Sequence, residues 1–138
     1  MDDVTRWLAV LAIVGVVGVI YGGWALLTFV TGREGLTEDQ KRFFRDGHAH
    51  AGVLLVLSLV FFLYLEHAGF SRGLEWTVGL VLLMGVMAQS GGFFVHMSTG
   101  GSVTEGSAGT RLTRGGALLI GAAPVSYTHL TLPTTPYV

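Results

Sequence analysis

The chain has no cysteine. Disulfides, thiolate chemistry and Cys-ligated zinc or iron–sulfur sites are therefore excluded. Charge is also scarce. Asp, Glu, Lys and Arg make up 12% of the 138 residues, about half the usual share. No basic run marks a nucleic-acid partner, and a formal net charge of −1 points to no charged ligand class. The acidic relay that a stand-alone ion pump uses is missing too.

What is present is apolar: 51% of residues, in long uncharged runs separated by short charged stretches. That pattern marks a polytopic membrane protein rather than a soluble core. The expected class is all-α, a transmembrane bundle of four helices with the fourth cut short. Residues 1–123 form the helical domain. The first run, Val4 to Val30, follows the acidic start Met1-Asp2-Asp3 and is too long for a signal-peptide core, so it reads as a retained helix over about 4–31. Gly15, Gly18 and Gly22 share one of its faces and predict close helix packing. In the charged stretch after it, Thr37 and Gln40 match a capping box that opens a short amphipathic helix from Glu38 to about Arg45. The second spanning helix is expected over 47–65 and the third over 74–97. The segment Ser98 to Thr110, rich in Gly, Ser and Thr, reads as a flexible loop. A fourth helix over 111–123 is too short to span.

Basic residues set the expected orientation. Arg33, Lys41, Arg42, Arg45, Arg111 and Arg114 belong to the first and third connections, against only Arg6 and Arg72 on the other side. Six against two places both connections in the cytoplasm of a bacterial inner membrane, with the N-terminus outside. Trp7, Tyr21, Trp24, Tyr64 and Trp76 read as interfacial anchors, and Met84, Met87 and Met97 as packing residues.

The ten residues Val125 to Thr134, VSYTHLTLPT, resemble a translated transposase sequencing adapter, and both flanking codons fit its reading frame. That resemblance implies that 124–138 is not native and removes His129 from the candidate ligands.

The distinctive stretch is FFRDGHAHAG, Phe43 to Gly52. His48 and His50 stand at the start of the second helix and point to nearly opposite faces. On the third helix Gly85, Gln89, Gly92 and His96 form one stripe, expected to turn inward against the second helix as a glycine-and-histidine seam. Topology puts His48, His50 and His96 at one level. Neutral imidazole is a common metal ligand and the usual axial ligand of haem iron, and bundles build such sites on facing helices. Arg45 is placed to pair with a propionate, and Asp46 to orient a histidine. The opposing reading is that these residues only anchor a helix end. His67, beside Glu66, reads as a solvated loop residue.

Two resemblances follow from these residues. YGGWALLTFVTG followed by LTEDQKRFFRDGHAHAGVLLVLSLV resembles a group of small bacterial integral membrane proteins, a likeness that brings no activity with it. Ala49-His50-Ala51-Gly52 resembles the Ala-His-Ser-Gly context of styrene oxide isomerase, although Arg45 does not align with that family's arginine. The second likeness implies four membrane helices, a homo-oligomer, and haem b held through His50, whereas packing favours His48. Two functional expectations result. The first is a haem-binding membrane protein with His48 and His50 as iron ligands and His96, Arg45 and Gln89 around the cofactor, acting as an isomerase-like enzyme or a redox partner. The second is a cofactor-free structural or interaction protein, or a small transporter subunit. In both the lipid bilayer is the main partner.

Overall fold

A computed structural model describes residues 3–31, 35–101 and 103–131. Met1, Asp2, Arg33 and the tail from 132 to 138, all used in the readings above, lie outside the described residues. Four α-helices follow in order: α1 Asp3–Thr31, α2 Glu38–Leu65, α3 Arg72–Ser98 and α4 Ala108–Thr131. The all-α expectation holds. Three of them, α1, α2 and α3, are long and apolar enough to cross a membrane.

The two helices expected over 38–45 and 47–65 are one continuous helix. Gly47 does not break it because α3 presses on that point: a Cβ there would stand 2.9 Å from Phe93 Cβ and 3.2 Å from the Ser90 carbonyl oxygen. Close packing offsets the ~1 kcal/mol that glycine costs inside a helix. The capping box is present. Thr37 N–H donates to Gln40 Oε1 at 3.0 Å and Gln40 N–H to Thr37 Oγ1 at 3.2 Å. The same Gln40 side chain donates to the Met97 carbonyl at 3.1 Å, which fixes the start of α2 to the end of α3. The α1–α2 and α3–α4 connections thus share one end of the bundle, called here the two-loop end. At the opposite end Arg72 lies 3.9 Å from Asp3.

α4 starts at Ala108, three residues before the expected position, because the Ser107 hydroxyl caps it by accepting from Thr110 N–H at 3.3 Å. It continues through Pro124 to Thr131, beyond the expected end at 123. Tyr127 then reaches Phe61 and Phe70 with ring centroids 5.8 and 6.1 Å away.

α3 is the central element. It packs most extensively on α4, then on α2, and only lightly on α1, which rests mainly on α2. The apolar core joins Val4, Leu8 and Ala12 of α1, Leu55 and Phe62 of α2, and Val78, Leu82 and Val86 of α3. Leu8 reaches α3 because Gly79 has no side chain to obstruct it. The helix 1 glycine face is used in part. A Cβ on Gly15 would stand 3.0 Å from Leu55 Cδ1, and on Gly22 3.1 Å from His48 Nδ1, whereas Gly18 meets nothing within 4 Å. Trp7, Tyr21, Trp24 and Tyr64 are exposed on the outside, and Trp76 packs against the core instead.

The stripe Gly85, Gln89, Gly92 and His96 faces α4, not α2. A Cβ on Gly85 would stand 2.8 Å from the Ile120 nitrogen, Gly92 abuts Thr113 and Gly109, and Gly116 abuts the Gln89 backbone. The reason is a matching pair on α4: Gly109 and Gly116, seven residues apart like Gly85 and Gly92, let two backbones meet without intervening side chains.

Candidate functional site

The three histidines do lie at one level of the bundle, near the two-loop end, but their rings diverge. His48 is half-buried and turns to α1. Its Nδ1 and Nε2 face Gly22 and Gly23, where added Cβ atoms would stand 3.1 and 3.3 Å away. Phe44 stacks on the other side at 6.4 Å between centroids. Both ring nitrogens therefore lie beside α1, while the ring also lines the cleft between α1, α2 and α3.

His50, two residues later, is exposed and turns to the opposite side. Its Nδ1 lies 2.8 Å from the Asp46 carbonyl oxygen, and its ring stacks on Phe93 of α3 at 4.8 Å. Donation from Nδ1 to that carbonyl leaves Nε2 with its lone pair and no protein partner. Asp46 does orient a histidine, but through its backbone. Its carboxylate instead lies 3.8 Å from Arg42 Nε. His67 makes the same contact to the Leu63 carbonyl at 2.8 Å. Around His50 the surface forms a shallow cleft of about 210 Å³ with Ala49, Val53 and Leu54.

His96 is buried at 5% exposure between α3 and α4. Phe43 stacks on it at 5.1 Å, and its Nε2 lies 3.3 Å from Thr110 Oγ1. Thr110 spends its own proton on the Thr104 carbonyl at 3.0 Å. The Ser107 hydroxyl donates to the same Thr110 oxygen at 3.0 Å, so His96 joins a hydrogen-bonded cluster at the start of α4. His96 is thus engaged in joining the helices.

Gln89 is half-buried on the same seam, and its carbonyl accepts from Thr113 at 3.4 Å. Arg45 is exposed on α2, three residues before His48. The structure brings together His48 with α1 and His96 with α4, and leaves His50 alone on the surface. No group of three or more His, Asp or Glu side chains capable of holding a metal exists among the described residues.

Sequence reasoning missed two things here. One is the Gly22-Gly23 pair as the wall beside His48. Its signal was the helix 1 glycine face, which lies level with the start of α2 once the two helices are antiparallel. The other is Ser90, described below, for which the sequence carries no signal.

Compared with protein-family models, curated proteins and solved structures, the chain matches none. The fold therefore defines the class alone. It is a four-helix bundle whose three apolar helices are compatible with a multi-pass membrane protein.

Proposed function

We propose that the chain is a haem b-binding protein of the bacterial inner membrane, with His50 as the axial ligand. The observation that carries this reading is the state of His50: Nδ1 is tied to the Asp46 carbonyl and the ring stacks on Phe93, so Nε2 points outward and unengaged. Metal-bound histidines are held in this way by their second nitrogen. The donor set fits one haem face per chain. His48 turns to α1 beside Gly22 and Gly23, away from His50, so it is not a second ligand to the same iron. Because His50 lies on the bundle surface, the cofactor would sit between copies of the chain, which makes the protein a homo-oligomer. Arg45, exposed at the same end, would supply positive charge for a propionate. Bound haem would supply an iron centre suited to isomerisation or electron transfer. The basic residues of the two-loop end put that end in the cytoplasm and the N-terminus outside.

The test is an absorption spectrum of protein purified in detergent from its genomic reading frame, since the residues from Pro124 resemble adapter sequence. A Soret band is expected in the parent and in His48→Ala. His50→Ala should lose haem by at least about tenfold, the loss of one good ligand interaction. A colourless parent preparation, with no haem recovered after growth with added haem precursor, would overturn the reading. The divergence of the three rings favours the alternative, a cofactor-free interaction protein or small transporter subunit. In that case alanine at all three histidines leaves both spectrum and partner binding unchanged.

A further inference from the structure

Between α1, α2 and α3, on the face opposite His50, lies a cleft of about 300 Å³. Gly15, Gly18 and Gly22 lie on its α1 wall, and His48, Met87 and Ser90 are among the residues that line the rest. It shares Gly15, Leu55 and Met87 with a second, wholly apolar cleft of about 340 Å³ that extends toward Leu11, Leu80 and Met84. Met84 and Met87 at its rim are 55% and 68% exposed, so the space opens sideways, toward the acyl chains of a surrounding bilayer. Each volume falls within the ~300–1,000 Å³ range usual for small-molecule sites.

Ser90 distinguishes this space from a packing defect. It is 4% exposed, and its hydroxyl has no hydrogen-bond partner. Other helix serines satisfy themselves locally: Ser58 donates to the Leu54 carbonyl at 2.8 Å and Ser98 to Val95 at 2.8 Å. An unmade hydrogen bond in a low-dielectric interior is costly, and native structures rarely tolerate one without a reason. No Lys, Arg, Asp or Glu lines either cleft, so nothing there would balance a charged headgroup.

We propose that this cleft binds an uncharged apolar molecule bearing one carbonyl oxygen, taken laterally from the bilayer. The oxygen lies beside His48 and accepts from the Ser90 hydroxyl, which turns about χ1 to meet it. The apolar body extends along Leu55 and Met87 into the second cleft. The glycines of α1 are what leave room for it, since Gly18 has nothing within 4 Å of its missing Cβ. The site uses neither His50 nor Phe93, so it stands independently of haem binding.

The test uses the full native chain in nanodiscs, photolabelled with a long-chain alkyl ketone carrying a diazirine. The unlabelled ketone and an alkane of matched length serve as competitors. Label is expected on peptides of α1 and α3 that line the cleft. The ketone should displace it about tenfold better than the alkane, as one hydrogen bond in a dry site allows. Ser90→Ala should erase that preference while keeping the label. Gly18→Leu, whose Cβ meets nothing within 4 Å and whose longer side chain extends into the cleft, should abolish the label in a folded protein. Absence of label in the parent, equal displacement by ketone and alkane, or label unaffected by Gly18→Leu would each overturn the proposal.

Discussion

His48 and His50, separated only by Ala49, face opposite sides of the bundle: one lies against Gly22 and Gly23 of α1, the other against Phe93 of α3. Two residues on a helix differ by about 200°, so a pair that reads as one motif serves two different surfaces.

Substitutions on the two sides should therefore differ. Gly22→Ile drives a branched side chain into His48 Nδ1 and should destabilise by about 1–3 kcal/mol, the usual cost of overpacking. His50→Ala, on the surface, should stay within about 0.5 kcal/mol of the parent when both are compared free of haem. Denaturant unfolding in detergent measures both. A His50→Ala loss as large as that of Gly22→Ile would contradict the placement of the two rings.

The α3–α4 seam gives a sharper contrast. Gly92→Ala sets a methyl group against Thr113 and the Gly109 carbonyl, both held by backbone, and should cost at least about 3 kcal/mol or separate the helices. Gly115→Ala, one residue off the seam with nothing within 4 Å, should be stabilising by about 0.5–1 kcal/mol through helix propensity alone. Thermal unfolding of the two variants side by side decides this. Equal melting temperatures would mean that the two backbones do not meet at Gly92.

Gln40 joins two functions, closing the capping box and bonding the Met97 carbonyl. Gln40→Ala should cost about 1–2 kcal/mol, more than the ~1 kcal/mol typical of losing a cap alone. Hydrogen exchange should speed up at two separated places, the first turn of α2 and the last turn of α3. Acceleration at α2 alone would show that the Met97 bond carries no stability.

Gly100 and Gly101 test the turn after α3. Both have positive φ, +86° and +81°, yet only Gly101 has a neighbour, with Asp39 Cβ 2.8 Å from its missing Cβ. Gly100→Ala should lose about 1 kcal/mol to backbone strain, and Gly101→Ala that amount plus a steric term of at least about 1 kcal/mol. Stabilities that match within error would remove the Asp39 contact from consideration.

Much of this architecture was readable from residue order. The apolar runs predicted the helices, Thr37 with Gln40 predicted the cap, and the spacing of His48 and His50 predicted that they diverge. Neighbours were harder. Periodicity shows that Gly85, Gln89, Gly92 and His96 share a face, but not which helix that face meets. A fourth helix expected only over 111–123 gives little sequence sign that it takes this position in place of α2. Its Gly109 and Gly116, in step with Gly85 and Gly92, were the available sign. The partner of His96 depended on the path of the loop that brings Thr104 and Thr110 together, which no local pattern encodes. Ser90 was invisible for another reason. A serine in an apolar helix normally bonds to its own backbone, and only coordinates show that this one does not.

The glycine seam also bears on what holds α4 in place. α4 carries Thr110, Arg111, Thr113 and Arg114 in its first two turns and is not among the helices apolar enough to cross unaided. Its seat depends on α3, joined to it by residues 99–107 alone. Helices that meet backbone to backbone are held by close packing rather than by hydropathy, so the position of α4 is tied to that of α3. A bulky residue at Gly85 or Gly92 would then do more than loosen a finished bundle. It would also part the first turns of α4 from the end of α3, a displacement that protease accessibility of the loop between them would reveal.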